Sequence, residues 1–279
     1  MSTESSRAPD QSARPADGVE WNAATYQRVA QPQTTWGTQV LARLTLRGDE
    51  TVLDAGCGTG ALTAEILEQL PNGRVIAFDR SHNMLDRARD LLEPRFGDRV
   101  RYLQGDLQTI GLAITGEPVD VVFSAATFHW IPDHPRLFAG LFDVLKHGGR
   151  LEAQSGGGPN LAALLSRAET VMHSPDFAPF FAGWPGPWHF ADDLTTATRL
   201  QDAGFVDVTT GLEDKPTVLA DAATYHDFLR DVIFGVHVAR FPSDELRERF
   251  ISILTDAAAT DEPPYALDYW RLNMSARKP

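Results

Sequence analysis

The sequence predicts an α/β protein built on a doubly wound, mostly parallel sheet of seven strands, with a helical cap formed by insertions. Three observations carry the prediction. Short apolar runs alternate with helical segments from Val52 to Gln154, a spacing that requires right-handed crossovers between parallel neighbours. The first run opens the stretch Val52 to Gly60, reading VLDAGCGTG, as a strand leading through a tight turn into a helix would. The second, Val75 to Phe78, closes on a carboxylate at Asp79.

Taken in order, Thr51 to Asp54 holds the β-formers Val52 and Leu53, and Ala61 to Leu70 after the glycines has helical composition. Arg74 to Asp79 is the second strand and Met84 to Glu93 the next helix. Val100 to Gly105, Val119 to Ser124 and Arg150 to Gln154 are further strands, with Pro135 to Leu145 helical between the last two. Phe205 to Thr209 and Leu267 to Ala276 complete the sheet, the latter alternating as Leu267, Tyr269, Arg271, Asn273. Ligands of such sheets bind beyond the carboxyl ends of the strands, so Asp54, Asp79, Asp106 and Ser124 fall on one edge.

Two stretches break the alternation. Ser155 to Asp193 starts with three glycines and a proline and ends with Trp184, Pro185, Gly186, Pro187 and Trp188. Ala220 to Thr260 carries helical faces, one of Tyr225, Phe228, Leu229, Val232 and Ile233, another of Leu246, Phe250, Ile253 and Leu254. The expected organisation is a tail over 1–18 and one domain over 19–279, with cap insertions at 155–195 and 212–262.

Composition narrows the function. A net charge of −13 opposes binding to nucleic acid or anionic membrane, which leaves a small molecule as the expected partner. The single cysteine, Cys57, rules out an internal disulfide and a multi-cysteine metal site, and the histidines lack a metal-ligand spacing, so no metal is expected. No apolar run approaches the ~20 residues of a membrane span, and the N-terminus lacks the profile of a secretory leader; the expectation is cytoplasmic.

The glycine turn followed about 20 residues later by Asp79 is a Rossmann-like nucleotide site, in which a carboxylate accepts the ribose hydroxyls. Gly56, Gly58 and Ala61 also satisfy the dinucleotide pattern G-x-G-x-x-A. Asp54 separates the two cofactor classes: a carboxylate there suits a cationic cofactor and repels a pyrophosphate, favouring S-adenosylmethionine over NAD.

With these residues in view, the chain resembles the class I S-adenosylmethionine-dependent methyltransferases. The resemblance implies that Asp54, Gly56, Gly58 and Gly60 form the methionine-side loop, that Asp79 holds the ribose, and that Asp106 with Leu107 clamps the adenine. It also places Arg80, Met84 and Ser124 on the cofactor. Within that superfamily the chain is similar to trans-aconitate 2-methyltransferase and its relatives. Trp21 and Tyr26 match a W-x4-Y signature, Thr127 to His134 (TFHWIPDH) matches the H-W-[VI]-P-x-H segment, and Ala178 to Phe190 resembles the aromatic cap stretch. What this implies is methyl transfer to a small molecule, possible acceptors being a carboxylate of a small organic acid or an oxygen, nitrogen or carbon of another metabolite. A nicotinamide oxidoreductase and a non-catalytic binding module are the alternatives from other classes.

Methyl transfer from a sulfonium requires alignment and exclusion of water, and a base only where the nucleophile carries a proton. His129 is the candidate base or substrate hydrogen bond, and it equally suits an aromatic wall with Trp130. Tyr26 is the second candidate catalytic residue, placed to close over the methionine end. His134, before Pro135 at a helix start, reads as structural. Trp130, Trp184 and Trp188 are expected to line the acceptor pocket, with Arg230 as its cation among Arg167, Lys215, Arg230 and Arg240 of the cap.

Overall fold

The structure is a computed structural model and describes residues 31–279. The expected tail, Trp21 and Tyr26 lie outside the described residues. Strands β1 (Thr51–Ala55), β2 (Arg74–Asp79), β3 (Val100–Gln104), β4 (Val119–Ala125), β5 (Leu145–Gly156), β6 (Val206–Asp214) and β7 (Trp270–Arg277) form one sheet in the order β3-β2-β1-β4-β5-β7-β6. β1 to β5 pair in parallel and β7 runs antiparallel between β5 and β6. This is the seven-stranded, mostly parallel sheet that the alternation implies. Helices cover both faces, so β1 is buried at every residue, as the strands of a two-sided parallel sheet must be.

On one face α1 (Gln31–Leu41), α2 (Ala61–Glu68) and α3 (His82–Phe96) pack Val40, Ile66 and Leu92 on Val52, Val75 and Phe123. On the other, α4 (His134–Val144) and α6 (Asp193–Asp202) pack Phe138, Leu141 and Leu200 on Leu53, Ile76 and Val122, while α5 (Ala162–Met172), between them in the chain, belongs to the cap. The starts of α3, α4 and α6 carry side-chain caps. Ser81, Asp133 and Asp192 accept the backbone N–H of Met84, Arg136 and Thr195.

The cap has its own core. Helix α5 joins α7 (Ala222–Phe228) and α8 (Asp244–Ala258) around Ala168, Phe177, Tyr225, Phe228, Phe250 and Leu254, together with Trp36 of α1. On α8 the inward positions are Phe250, Ile251 and Leu254, whereas Ile253, expected to share their face, is exposed. No helix among the described residues is long and apolar enough to cross a membrane.

The last strand differs from its expected span. Ala266–Leu267 pairs with Thr217–Val218 in a separate ribbon, and β7 starts at Trp270. The reason is a change of phase: Leu267 and Tyr269 enter the cap core, while Leu272, Met274 and Ala276 enter the sheet core. Arg271 stands at the switch, opposite Gly156 at the carboxyl end of β5.

Candidate active site

The buried strand β1 delivers Asp54 to the sheet edge at 2% exposure, where Thr63 Oγ1 of α2 donates to its Oδ2 at 2.6 Å. Burial pushes its carboxyl up to about 7, the charge of Asp79 adds to this and the Thr63 hydrogen bond opposes it. The following turn needs glycine for two different reasons. Gly56 has φ +92°, and a Cβ there would lie 2.1 Å from Thr127 Oγ1, so the loop abuts the chain leaving β4. Gly58, at φ +54°, would instead point a Cβ into open space.

Asp79 braces this turn. Its Oδ2 accepts the Gly58 N–H and its Oδ1 the Ser81 N–H, both at 2.9 Å. Burial raises its pKa, against the lowering effect of those two donors. Arg80 is exposed beside it, its carbonyl accepting from Gln104 Nε2 at 3.1 Å, and Met84 is buried in the first turn of α3. Cys57 is buried between the glycines as a small core residue. Asp106 lies exposed on the same edge and accepts the Gln108 N–H at 2.8 Å, while the side chain of Leu107 is taken into the sheet core. The Ser124 hydroxyl donates to the Ala55 carbonyl at 2.7 Å and so ties β4 to β1.

Past β4, Ala126 adopts a left-handed conformation, φ +57°, that redirects the chain into the single turn Phe128–Trp130. His129 Nδ1 accepts the backbone N–H of Gly156 at 3.2 Å. A backbone N–H can only donate, so Nδ1 is bare and the imidazole proton sits on Nε2. Burial, with smaller contributions from Arg271 and His134, holds the ring well below the usual imidazole pKa. Its face stacks on Phe190, centroids 5.7 Å apart.

The turn is clamped from outside. His134 Nε2 bonds the Phe128 carbonyl at 3.0 Å, and the His189 N–H donates to the His129 carbonyl at 2.8 Å. Arg199 of α6 reaches both rings, His134 Nδ1 at 3.4 Å and His189 Nε2 at 3.2 Å. Burial above all, together with Arg199, lowers both pKa values, that of His134 to about 4. His134 is therefore structural, as its place before Pro135 suggests.

The cap meets this turn through aromatics. Trp188 lies 5.7 Å from Trp130 and 5.9 Å from Phe190, and His237 sits 5.1 Å from Trp188 and 4.7 Å from Trp184. The structure thus brings Trp130 and Trp188 together and sets Trp184 behind His237. Arg230 is ion-paired within the cap. Its Nε and one terminal nitrogen grip Asp231 at 2.8 and 2.9 Å, and Asp227 is 3.0 Å away, so its charge is already matched.

Comparison with known proteins decides the family. Residues 52–149 match the model of a methyltransferase domain. The chain is 30% identical over 245 residues to a trans-aconitate 2-methyltransferase of Deinococcus radiodurans, covering 84% of this chain and 88% of that protein. It is 27% identical to an uncharacterized methyltransferase of Schizosaccharomyces pombe, over 92% of this chain and 98% of the relative. The chain belongs to the class I S-adenosylmethionine-dependent methyltransferases. Among solved structures, the phosphoethanolamine N-methyltransferase 2 of Haemonchus contortus in complex with S-adenosyl-L-methionine shares the fold, at TM-score 0.57 and 18% identity, over 92% of this chain and 56% of that one.

In this methyltransferase three residues of the edge carry little signal in their local sequence. Ala126 turns the chain without being glycine, and Phe190 lies under His129 from a segment singled out for its tryptophans. Arg271 is 3% exposed, its guanidinium carbon 4.6 Å above the Trp36 ring and its Nε 3.4 Å from Gln154 Oε1. The one available hint was a cation in the apolar phase of the alternation from Leu267.

Proposed function

We propose that this S-adenosylmethionine-dependent methyltransferase acts on a carboxylate of a small organic acid and releases the methyl ester. The observation that carries the reading is the tautomer of His129. Its Nε2–H is a donor, and taking up a proton at Nδ1 would cost the Gly156 hydrogen bond and leave that N–H unpaired. A carboxylic acid, with a pKa near about 4, is ionised at pH 7 and needs a donor to orient it rather than a base. The name of the Deinococcus relative, trans-aconitate 2-methyltransferase, agrees with an acid acceptor.

Bound, the cofactor supplies a methyl group on a sulfonium sulfur, and its transfer to a carboxylate forms one C–O bond and breaks one S–C bond with no proton to remove. The residues present fit such a cofactor: the open side of Gly58 lies next to the Asp79 carboxylate, and a buried carboxyl stands at Asp54. In this reading Asp79 holds the ribose, Asp54 with Gly56, Gly58 and Gly60 the methionine end, and Asp106 with the backbone at Leu107 the adenine. Arg80 and Met84 border the ribose side, and Ser124 acts by fixing β4 to β1. The insertions 155–195 and 212–262 exclude water. His129 donates to the acceptor.

The test is His129→Gln, which keeps an N–H donor and removes the imidazole. Turnover with an acid acceptor should fall less than about tenfold, and both proteins should show a flat profile from about pH 6 to 9. A loss of roughly 10² together with disappearance of a wild-type limb near the imidazole pKa would make His129 a base and point to a phenol, amine or carbon acceptor.

A further inference from the structure

Strand β6 is the last of the sheet, paired with β7 on one side and with no strand on the other among the described residues. None of its nine residues is buried, whereas every residue of β1 is. Edge strands of stable monomers are usually short or interrupted along their length. Here a bulge interrupts only the start, between Val206 and Thr209, where Asp207 takes φ +53°. From Thr209 to Asp214 the strand pairs residue for residue with Ser275 to Trp270, so a regular row of main-chain donors and acceptors faces outward. The α1 face leaves this strand uncovered: a groove of about 360 Å³ lined by Arg43, Glu152, Thr209, Gly211, Glu213 and Asn273 stays open beside it.

Two residues beside this edge have no use within one chain. Gly211 stands mid-strand in unbroken register, outside the left-handed region, and a Cβ on it would meet nothing within 4 Å. A glycine there lowers strand stability and answers no crowding inside the subunit, so the close approach of another backbone accounts for it. Leu194, at 77% the most exposed large apolar residue among those described, follows Asp193, whose carbonyl accepts the Thr210 hydroxyl at 3.0 Å. An exposed apolar residue thus stands beside the middle of the strand, on the α6 face. Charges flank the same stretch in matched pairs, Asp207 with Arg277 and Glu213 with Lys215, each at 2.7 Å.

We propose that two copies of this chain pair antiparallel through β6 about a two-fold axis at Gly211, joining their sheets into one. This register puts each glycine opposite its copy, Thr210 opposite Leu212, and Thr209 opposite Glu213, whose carboxylate accepts the hydroxyl. It brings the bulged Asp207 of one copy toward Lys215 of the other, so that Arg277, Asp207, Lys215 and Glu213 alternate in sign across the seam, and Asp214 falls opposite Val208. Moving the axis to Thr210 would set Asp207 against Glu213, acid on acid, and moving it to Leu212 would set Asp207 against Thr217 and lose the pair. The charge pattern therefore selects Gly211 as the centre, although each copy carries a net charge of −13. The axis also places Leu194 of each copy at the seam, where the partner removes it from water.

The experiment is sedimentation velocity of the full chain from about 1 to 100 µM, with and without substitutions at the edge. The wild type should sediment as a dimer at the upper end. Gly211→Lys, which the open space around that position admits, sets two cations face to face and should raise the dimer dissociation constant at least about tenfold, as should Leu194→Glu. Both variants should bind S-adenosylhomocysteine as the wild type does, which reports an intact fold. The register is read by Gly211→Cys. Cα atoms directly opposite across an antiparallel pair lie about 4.5 to 5.5 Å apart, inside the disulfide range, so mild oxidation should link the two copies while Cys57 stays buried. Thr209→Cys, which faces Glu213 in the other copy, should not link under the same conditions. A monomeric wild type at every concentration overturns the proposal, as does a dimer that survives Gly211→Lys and Leu194→Glu unchanged. A link at Thr209→Cys with none at Gly211→Cys overturns it too. Oxidation of Gly211→Cys decides the question even where the lysine variant fails to fold.

Discussion

Asp54 is a carboxyl that burial has moved from 3.8 to about 7, and the direction of that shift fixes two consequences. The folded state holds the proton more tightly than the unfolded chain, so stability declines as pH rises from about 4 to about 7 and is level above. Asp54→Asn removes that decline. Without cofactor, its melting temperature should exceed the wild type by a few degrees at pH 8 and show no gain at pH 5, measured by thermal denaturation. Equal shifts at both pH values would mean an ordinary carboxyl. A cationic ligand end beside Asp54 favours the ionised form, so wild-type affinity for S-adenosylmethionine should rise between pH 6 and 8, with proton release seen by calorimetry in buffers of different ionisation enthalpy. Asp54→Asn should bind weakly with a flat profile. Asp79 has a second duty, because its two oxygens hold the Gly58 and Ser81 N–H groups. Asp79→Ala should therefore lose about 1 to 3 kcal/mol of cofactor affinity and also melt earlier, since two backbone donors lose their acceptors. A titration showing lost affinity with an unchanged melting temperature would assign it to the ligand alone.

At the level of elements, the turn Phe128–Trp130 is held by groups that do not themselves face the acceptor. Arg199 joins His134 and His189, and these bond the carbonyls on either side of the His129 backbone N–H. Burial lowers the pKa of both rings most; Arg199 adds to this at both, at His134 alongside His189, so Arg199→Met should raise them. The variant should bind S-adenosylhomocysteine as the wild type does, turn over several-fold more slowly, and acquire an acid limb at higher pH than any the wild type shows. Slower turnover without that limb would reduce Arg199 to packing. The same turn marks where sequence reasoning stops. The glycine loop, Asp79 and the strand ends were legible because each is local: a turn conformation, a strand terminus, an alternation. His129 was legible as a position but not as a tautomer, which depends on Gly156 from the next strand. Arg271 stayed hidden because its place follows from the register of the antiparallel β7 on β5, whereas the ion pairing of Arg230 follows from Asp231 and Asp227 beside it in the chain.

Across the whole molecule, the site lies where the cap core meets the sheet edge. Trp36 and Tyr269 belong to the cap core and pack 4.9 Å apart, yet Trp36 also carries Arg271 and Tyr269 leads into β7. A ligand across this seam binds the folded state alone and stabilises it by mass action, by about 2.7 kcal/mol at a hundredfold excess over its dissociation constant. S-adenosylhomocysteine at that excess should raise the melting temperature by about 5 °C or more. NAD should leave it unchanged, because its pyrophosphate would meet the carboxylates of Asp54 and Asp79 together with a net charge of −13. Hydrogen exchange should then separate the two halves of the seam. The product alone should protect the glycine turn and the ends of β1 and β2, and addition of the acid should extend protection to the Trp184 to Phe190 stretch and to α7. Protection confined to the sheet edge with both ligands present would mean that the cap does not contribute to the acceptor pocket.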